Sequence, residues 1–371
     1  MSSFNTGNKD LTFGSILIFV GLPFFLFGQL RWGGLSILLA LAIKASECIN
    51  ESDKLHVRFS DLSADDVLTE LEQISEISTD RDLAKSNTSR KTDIVNQDIC
   101  TKHYVEVLSV LGCKYNKSNH KEDLCLPYQQ LGFTLILRYP QDDLVVAGSI
   151  SLLALISKDA RVRKRIKYQT EDYGINRPIA VLKNVLERAK EEEDETKEAV
   201  LAETLRKGFL FIGAMCNDGE DIGLPSIIVS EGGLELILEA ADWFRLNVDI
   251  SNWALWAIFI LCYDNLPIKA ELIRSQGIQV ICRLLENNPI SLEVNRHGIA
   301  LLFDLMRENH EENTILWNPW EIRKIAISSG LHNRILSAMN EFADSMDIMV
   351  MGQEILVGTG FRGNIPKYKE I

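Results

Sequence analysis

Apolar residues are distributed along this chain in three regimes. From Leu11 to Ile43 they run almost unbroken, and the 33 residues hold one charge, Arg31. About 20 such residues cross the hydrocarbon core of a bilayer as a helix, so the stretch predicts at least one membrane span. Gly28-Gln29-Leu30-Arg31-Trp32-Gly33-Gly34 interrupts it, with Arg and Trp suited to the headgroup level and glycines that permit a turn. The expected span is Phe13 to Leu30, with Leu35 to Ile43 either returning as a hairpin arm or lying in the interface. A cleaved signal peptide competes, because Ala40-Leu41-Ala42 resembles a small-residue cleavage site. The apolar run exceeds the usual signal core of about 7–15 residues, and Lys9 ahead of it is offset by Asp10, which favours an anchor.

The second regime is mixed and polar. Residues 46–125 read as a linker with short helices. Ser63-Ala64-Asp65-Asp66 has the form of an N-cap with an acid three positions on. Val67, Leu68, Leu71, Ile74 and Ile77 then share one face at helical spacing. Residues 78–96 lose that periodicity and predict a loop, and a second short helix is expected from Tyr104 to Leu111.

The third regime, 126–371, repeats. A glycine followed by an apolar residue and a helical run recurs at Gly132-Phe133, Gly174-Ile175, Gly233-Leu234, Gly277-Ile278 and Gly330-Leu331. A second recurrence places a small residue in a denser apolar helix at Gly148, Gly208, Ala254, Gly298 and Gly352. Offsets +3, +4 and +7 from these are nearly all apolar, for example Phe211, Ile212 and Met215, or Leu301, Leu302 and Leu305. Such offsets share one helical face, so each helix buries a stripe, and the small residue lets a neighbour come close. Long hydrophilic insertions, Glu191 to Glu198 and Glu308 to Thr314, separate some units.

With these residues in view the segment from about Tyr128 to Gly358 resembles armadillo repeats, most closely at Ala254-Leu255-Trp256-Ala257-Ile258-Phe259-Ile260-Leu261. The resemblance implies an all-α fold: an armadillo-like right-handed α-solenoid of about five three-helix repeats, the third helices lining a concave groove. It follows the N-terminal transmembrane helix or hairpin of residues 1–45. Armadillo proteins that capture extended peptides carry an asparagine at offset +6. Here that slot holds Ala154, Ala214, Ile260, Asp304 and Gly358, which argues against that mode of capture.

Offsets +2, +6 and +10 are rotated away from the buried stripe. They give Ile150, Leu210, Ala214, Trp256 and Ile260 as an apolar floor, and Asp218, Asp264 and Glu308 as an acidic border, with Lys158 at the matching position of the first unit. This set predicts helix-in-groove recognition of a protein partner, an amphipathic helix with basic residues at its edge. Burial of the same residues within the solenoid, or under the Ser63 to Ile77 helix, is the structural alternative.

Composition narrows the function classes. A formal charge of −13 and a pI near 5.1 oppose binding to nucleic acid, which rewards a basic surface. The one dense basic run, Arg161-Val162-Arg163-Lys164-Arg165-Ile166-Lys167, reads either as a solvated helix end or as a contact for an anionic lipid surface. Seven cysteines without a C-x-x-C pair read as reduced core thiols. Six dispersed histidines give no metal spacing. Gly358-Thr359-Gly360-Phe361-Arg362-Gly363 matches a dinucleotide fingerprint in letters but lacks the βαβ context that gives it meaning. No enzyme, cofactor, metal or small-molecule substrate is expected. The sequence therefore predicts a non-enzymatic, membrane-tethered scaffold or adaptor, held in a membrane by residues 11–43 with its repeats facing the cytosol. The alternative is an Hsp70-type chaperone regulator, a nucleotide exchange factor with an armadillo-like domain.

Overall fold

The computed structural model describes residues 108, 111–112, 116, 121–169, 173–217, 223–306 and 318–368, all within one compact unit. The expected membrane segment, the helix of residues 63–77 and the loop of 78–96 lie outside the described residues. Among the described residues no helix is long and apolar enough to cross a membrane.

All regular structure among the described residues is helical, as the spacing of apolar positions predicts. Two helices open it, α1 (Lys121–Arg138) and α2 (Asp143–Ile156). Four groups of three follow. The first is α3 (Ala160–Tyr168), α4 (Asn176–Glu191) and α5 (Glu195–Cys216), and the second α6 (Gly223–Ser230), α7 (Gly233–Trp243) and α8 (Val248–Cys262). The third is α9 (Leu266–Arg274), α10 (Gly277–Asn287) and α11 (Leu292–Met306), and the fourth α12 (Pro319–Ser328), α13 (Leu331–Glu341) and α14 (Met346–Gly358). The last helices pack in succession, α2 on α5, α5 on α8, α8 on α11 and α11 on α14. The middle helices do likewise, α4 on α7, α7 on α10 and α10 on α13.

The small residues explain how the two rows meet. A Cβ at Gly208 would stand 2.5 Å from Leu182 of α4, one at Gly298 would stand 2.8 Å from Leu285 of α10, and one at Gly352 would stand 2.9 Å from Met339 of α13. In the first, third and fourth groups a large apolar side chain of the middle helix thus lies on the bare backbone of the last helix, and in the second group Ala254 stands at that position. Leu108 does the same at Gly148 of α2, 2.8 Å from the Cβ position, so the segment ahead of α1 contributes to the core. The stripe at +3, +4 and +7 is buried throughout α5, α8 and α11. In α2, Leu155 at +7 is instead half-buried.

The other recurrence is less regular than the letters suggest. Gly132 lies inside α1, where it admits Leu153 of α2 at 3.0 Å from the Cβ position, and opens no helix. In the later groups the turn into the middle helix needs one left-handed residue, supplied by Gly232 (φ 78°), Gln276 (φ 58°) and Gly330 (φ 81°). Gly330 is therefore the counterpart of Gly232 and Gln276, and aligning it with Gly233 and Gly277 is one residue out of register. Gly233 and Gly277 have a different duty. Their Cβ positions would lie 2.8 and 2.7 Å from the carbonyl oxygens of Ile228 and Leu272, so bare backbone is needed where the chain doubles back.

Side-chain caps start the helices. Asp142 accepts from the Val145 N–H (3.2 Å), Asp194 from Thr196 (2.9 Å) and Asn247 from Ile250 (3.1 Å). The Asp194 cap shortens the hydrophilic insertion to residues 192–194, because Glu195 onward is already helix. Ion pairs tie consecutive middle helices together: Lys190 with Glu239, Arg283 with Asp242, and Arg334 with Glu286. Asn288, buried after α10, donates to the Arg245 carbonyl (2.9 Å) in the turn before α8 and to Leu284 (2.9 Å). Among the described cysteines, Cys125, Cys262 and Cys282 are buried thiols.

Candidate partner-binding groove

A groove of about 960 Å³ runs across α2, α5 and α8, reaching His297 of α11 at one end and Leu108 and Gly112 at the other. Its apolar lining comes from Leu152, Ala154 and Leu155 of α2, Leu210 and Ala214 of α5, and Trp253 and Trp256 of α8. In α5 and α8 these side chains project away from the packing stripe, whereas Leu152 and Leu155 of α2 are the +4 and +7 positions of the stripe itself. The two tryptophans meet edge to face, ring centroids 5.4 Å apart and planes at 85°. Gly213 sets the pose of Trp256. A Cβ there would fall 2.6 and 2.7 Å from two carbons of the indole, so the ring lies on the bare backbone of α5.

Polar groups complete the lining. The His297 Nδ1 is 3.0 Å from the Asn252 Oδ1, an arrangement in which the ring nitrogen donates. Burial holds that imidazole below its ordinary value, and the charge of Arg296 acts in the same direction, so His297 is neutral at pH 7. Lys158, Arg163 and Lys207 also line the groove. Arg163, buried in α3, donates to the Ser157 carbonyl at 2.7 Å and so covers the C-terminal end of α2. Lys207 faces Glu203 at a loose 3.7 Å, while Arg206 holds that carboxylate more tightly at 2.5 Å. The Arg206 hydrogen bonds keep Glu203 below the usual carboxylate range. Among the described residues no carboxylate lines the groove.

Leu210, Ala214 and Trp256, named from their spacing, line this groove together. Ile150 does not. Leu108 packs on Gly148 and α1 approaches Ser149 and Leu153 through Gly132, and Ile150 between them is fully buried. Ile260 is half-buried outside the lining, and Asp264 is exposed at a left-handed turn (φ 46°). Asp218 and Glu308 lie outside the described residues. Spacing alone misses Trp253, Leu155, Lys207, Gly213 and His297. Trp253, one position before the small residue of α8, carries the only advance signal, as a second tryptophan one turn from Trp256.

The basic run forms the separate short helix α3, N-capped by Asp159 through the Arg161 N–H at 2.8 Å. Val162, Arg163 and Ile166 face inward, and Lys164 and Arg165 outward. A second depression, about 950 Å³, surrounds the exposed Trp243 and Leu246 and is edged by Glu195, Glu198, Glu239 and Asp242. The glycine-rich hexapeptide begins at the end of α14, and its Phe361 ring packs on His332 at 5.2 Å.

Compared with known proteins, the chain matches no family model and no curated sequence. The groove is therefore read from its own chemistry.

Proposed function

We propose that this chain is a non-enzymatic adaptor, tethered to a membrane by residues 11–43, that recruits a protein through the groove of an armadillo-like right-handed α-solenoid. The observation that carries the reading is the groove itself. Two tryptophans and two leucines, Leu155 and Leu210, stand half-open in a trough between packed helices, and its charged lining is all cationic among the described residues. An apolar trough of that form suits the stripe of an amphipathic helix. The cationic lining redirects the expected partner from a basic-edged helix to one with carboxylates at its edge, because unlike charges face each other across a productive interface. The succession of last helices, each on the next, supports the solenoid, and the 33-residue apolar stretch supports the tether. The repeats then face the cytosol.

Proximity labelling from the full-length chain tests this. Trp253→Ser and Lys207→Glu, both on side chains the fold does not bury, should remove the same set of labelled proteins while thermal unfolding stays unchanged. Labelling that both variants leave intact rejects the groove as the recruiting surface. Faster nucleotide release from an Hsp70-type chaperone on adding the chain would favour the chaperone-regulator reading instead.

A further inference from the structure

We infer that the groove is the docking surface for a helix of this same chain, residues 63–77, whose apolar stripe lies on Trp253, Trp256 and Leu210 and whose carboxylates face Lys158 and Lys207. The inference rests on the reading of the groove as a protein-binding surface and names its occupant.

Charge and pattern select this segment. Residues 63–77 contain Asp65, Asp66, Glu70, Glu72 and Glu76 and no lysine or arginine. Val67, Leu68, Leu71, Ile74 and Ile77 fall on one helical face, Asp66 borders it, and Glu70 lies at its edge between Ile74 and Ile77. That is the complement of an apolar trough with Lys158, Arg163 and Lys207 along it. Length agrees as well. Fifteen helical residues span about 22 Å. The trough crosses three consecutive helices, and two interaxial steps amount to about 16–20 Å.

The tether makes the encounter favourable. Only 31 positions separate Ile77 from Leu108, and Leu108 lines the groove. A linker of that length can extend to about 100 Å, so it reaches every part of the trough. It also keeps the helix at an effective concentration on the order of millimolar, and closing the loop costs free energy that grows only slowly with length. An external partner then competes with a resident helix.

The test uses the full-length chain in nanodiscs with p-benzoylphenylalanine at Leu155, which lines the groove half-buried. Irradiation should join the peptide that carries position 155 to the one that carries residues 63–77. In a mixture of light and heavy isotope-labelled protein the product should be light–light and heavy–heavy only. Leu71→Asp with Ile74→Asp should lower the yield at least about tenfold, since two apolar side chains would have to enter the trough charged. Lys207→Glu should lower it with thermal unfolding unchanged. Mixed-isotope products would assign the groove to a second copy and overturn the inference. Cross-links to a separate protein, or none, would overturn it too. In the former case the adaptor reading stands without it, because the recruiting surface is engaged from outside. If the cross-link forms but the groove variants keep every labelled protein, the adaptor reading falls and the internal docking remains.

Discussion

Gly213 and Trp256 show what a single missing methyl does in this molecule. With no Cβ, α5 gives the indole a flat seat, and an added Cβ would lie 2.6 Å from a ring carbon. Gly213→Ala therefore forces Trp256 out of its pose. Overpacking of this kind costs about 1–3 kcal/mol, offset by about 1 kcal/mol gained from alanine's better helix propensity. The expected result is a small fall in denaturant midpoint together with a clear change in the near-ultraviolet dichroism of tryptophan. An unchanged tryptophan signal would mean that the ring does not rest on α5. Cys262 and Cys282 make a second case. Burial pushes their thiols up to about 12 and about 11, so both stay protonated and unreactive at neutral pH. Intact-mass analysis after iodoacetamide should leave these two unmodified until the chain is unfolded. A thiol whose value is raised by folding contributes stability below its unfolded value of 9.0 and loses it as pH rises toward the folded one. Urea midpoints should accordingly fall between pH 9 and 11.

At the scale of elements, the junctions are held by buried amides more than by ion pairs. Arg283 and Asp242 are each more than a third exposed, and pairs of that kind contribute about 0–1 kcal/mol. Asn288 is buried and its amide joins the turn before α8 to the end of α10. Asn288→Ala removes donors from buried carbonyls, which costs about 1–3 kcal/mol, whereas Asp242→Asn should cost under about 1 kcal/mol. Equal midpoints for the two variants would contradict this ranking. The same contrast explains what the sequence made legible. The small residues at Gly208, Gly298 and Gly352 and the apolar stripe beside them recur because helix period and close approach dictate both, and each sits where its spacing placed it. Gly330 was one residue out of register because the letters of a left-handed turn residue and of a close-approach glycine are identical. Ile150 shares its offset with Leu210 and Trp256, but exposure at that offset depends on what covers the first long helix, and the covering side chain, Leu108, comes from outside the repeat pattern. Of the groove's cations Lys158 stood at its expected offset, and the other two were hidden for a similar reason. Lys207 lies at no groove offset, and Arg163 sits in a run where only the fold shows which cation turns inward.

At the scale of the molecule, the proposed adaptor gives the described body and the apolar N-terminal stretch separate physical duties. Among the described residues no helix can cross a bilayer, so the proposed attachment would rest either on residues 11–43 or on the exposed cations of α3. These two sources respond oppositely to solution conditions. An apolar span is held by the hydrophobic effect and survives alkaline carbonate, whereas Lys164 and Arg165 on an anionic surface contribute about 1 kcal/mol each and are screened by salt. A net charge of −13 works against the second source, because the rest of the body is repelled by the lipid that α3 would touch. The full-length chain should therefore stay with membranes through both high salt and alkaline carbonate, and a chain starting at Ser46 should be released in ordinary buffer. Release of both by carbonate would remove the tether from the proposal. Retention of the shorter chain at low salt, lost at high salt, would transfer the membrane contact to α3 and leave the groove, on α2, α5 and α8, free to act on its own.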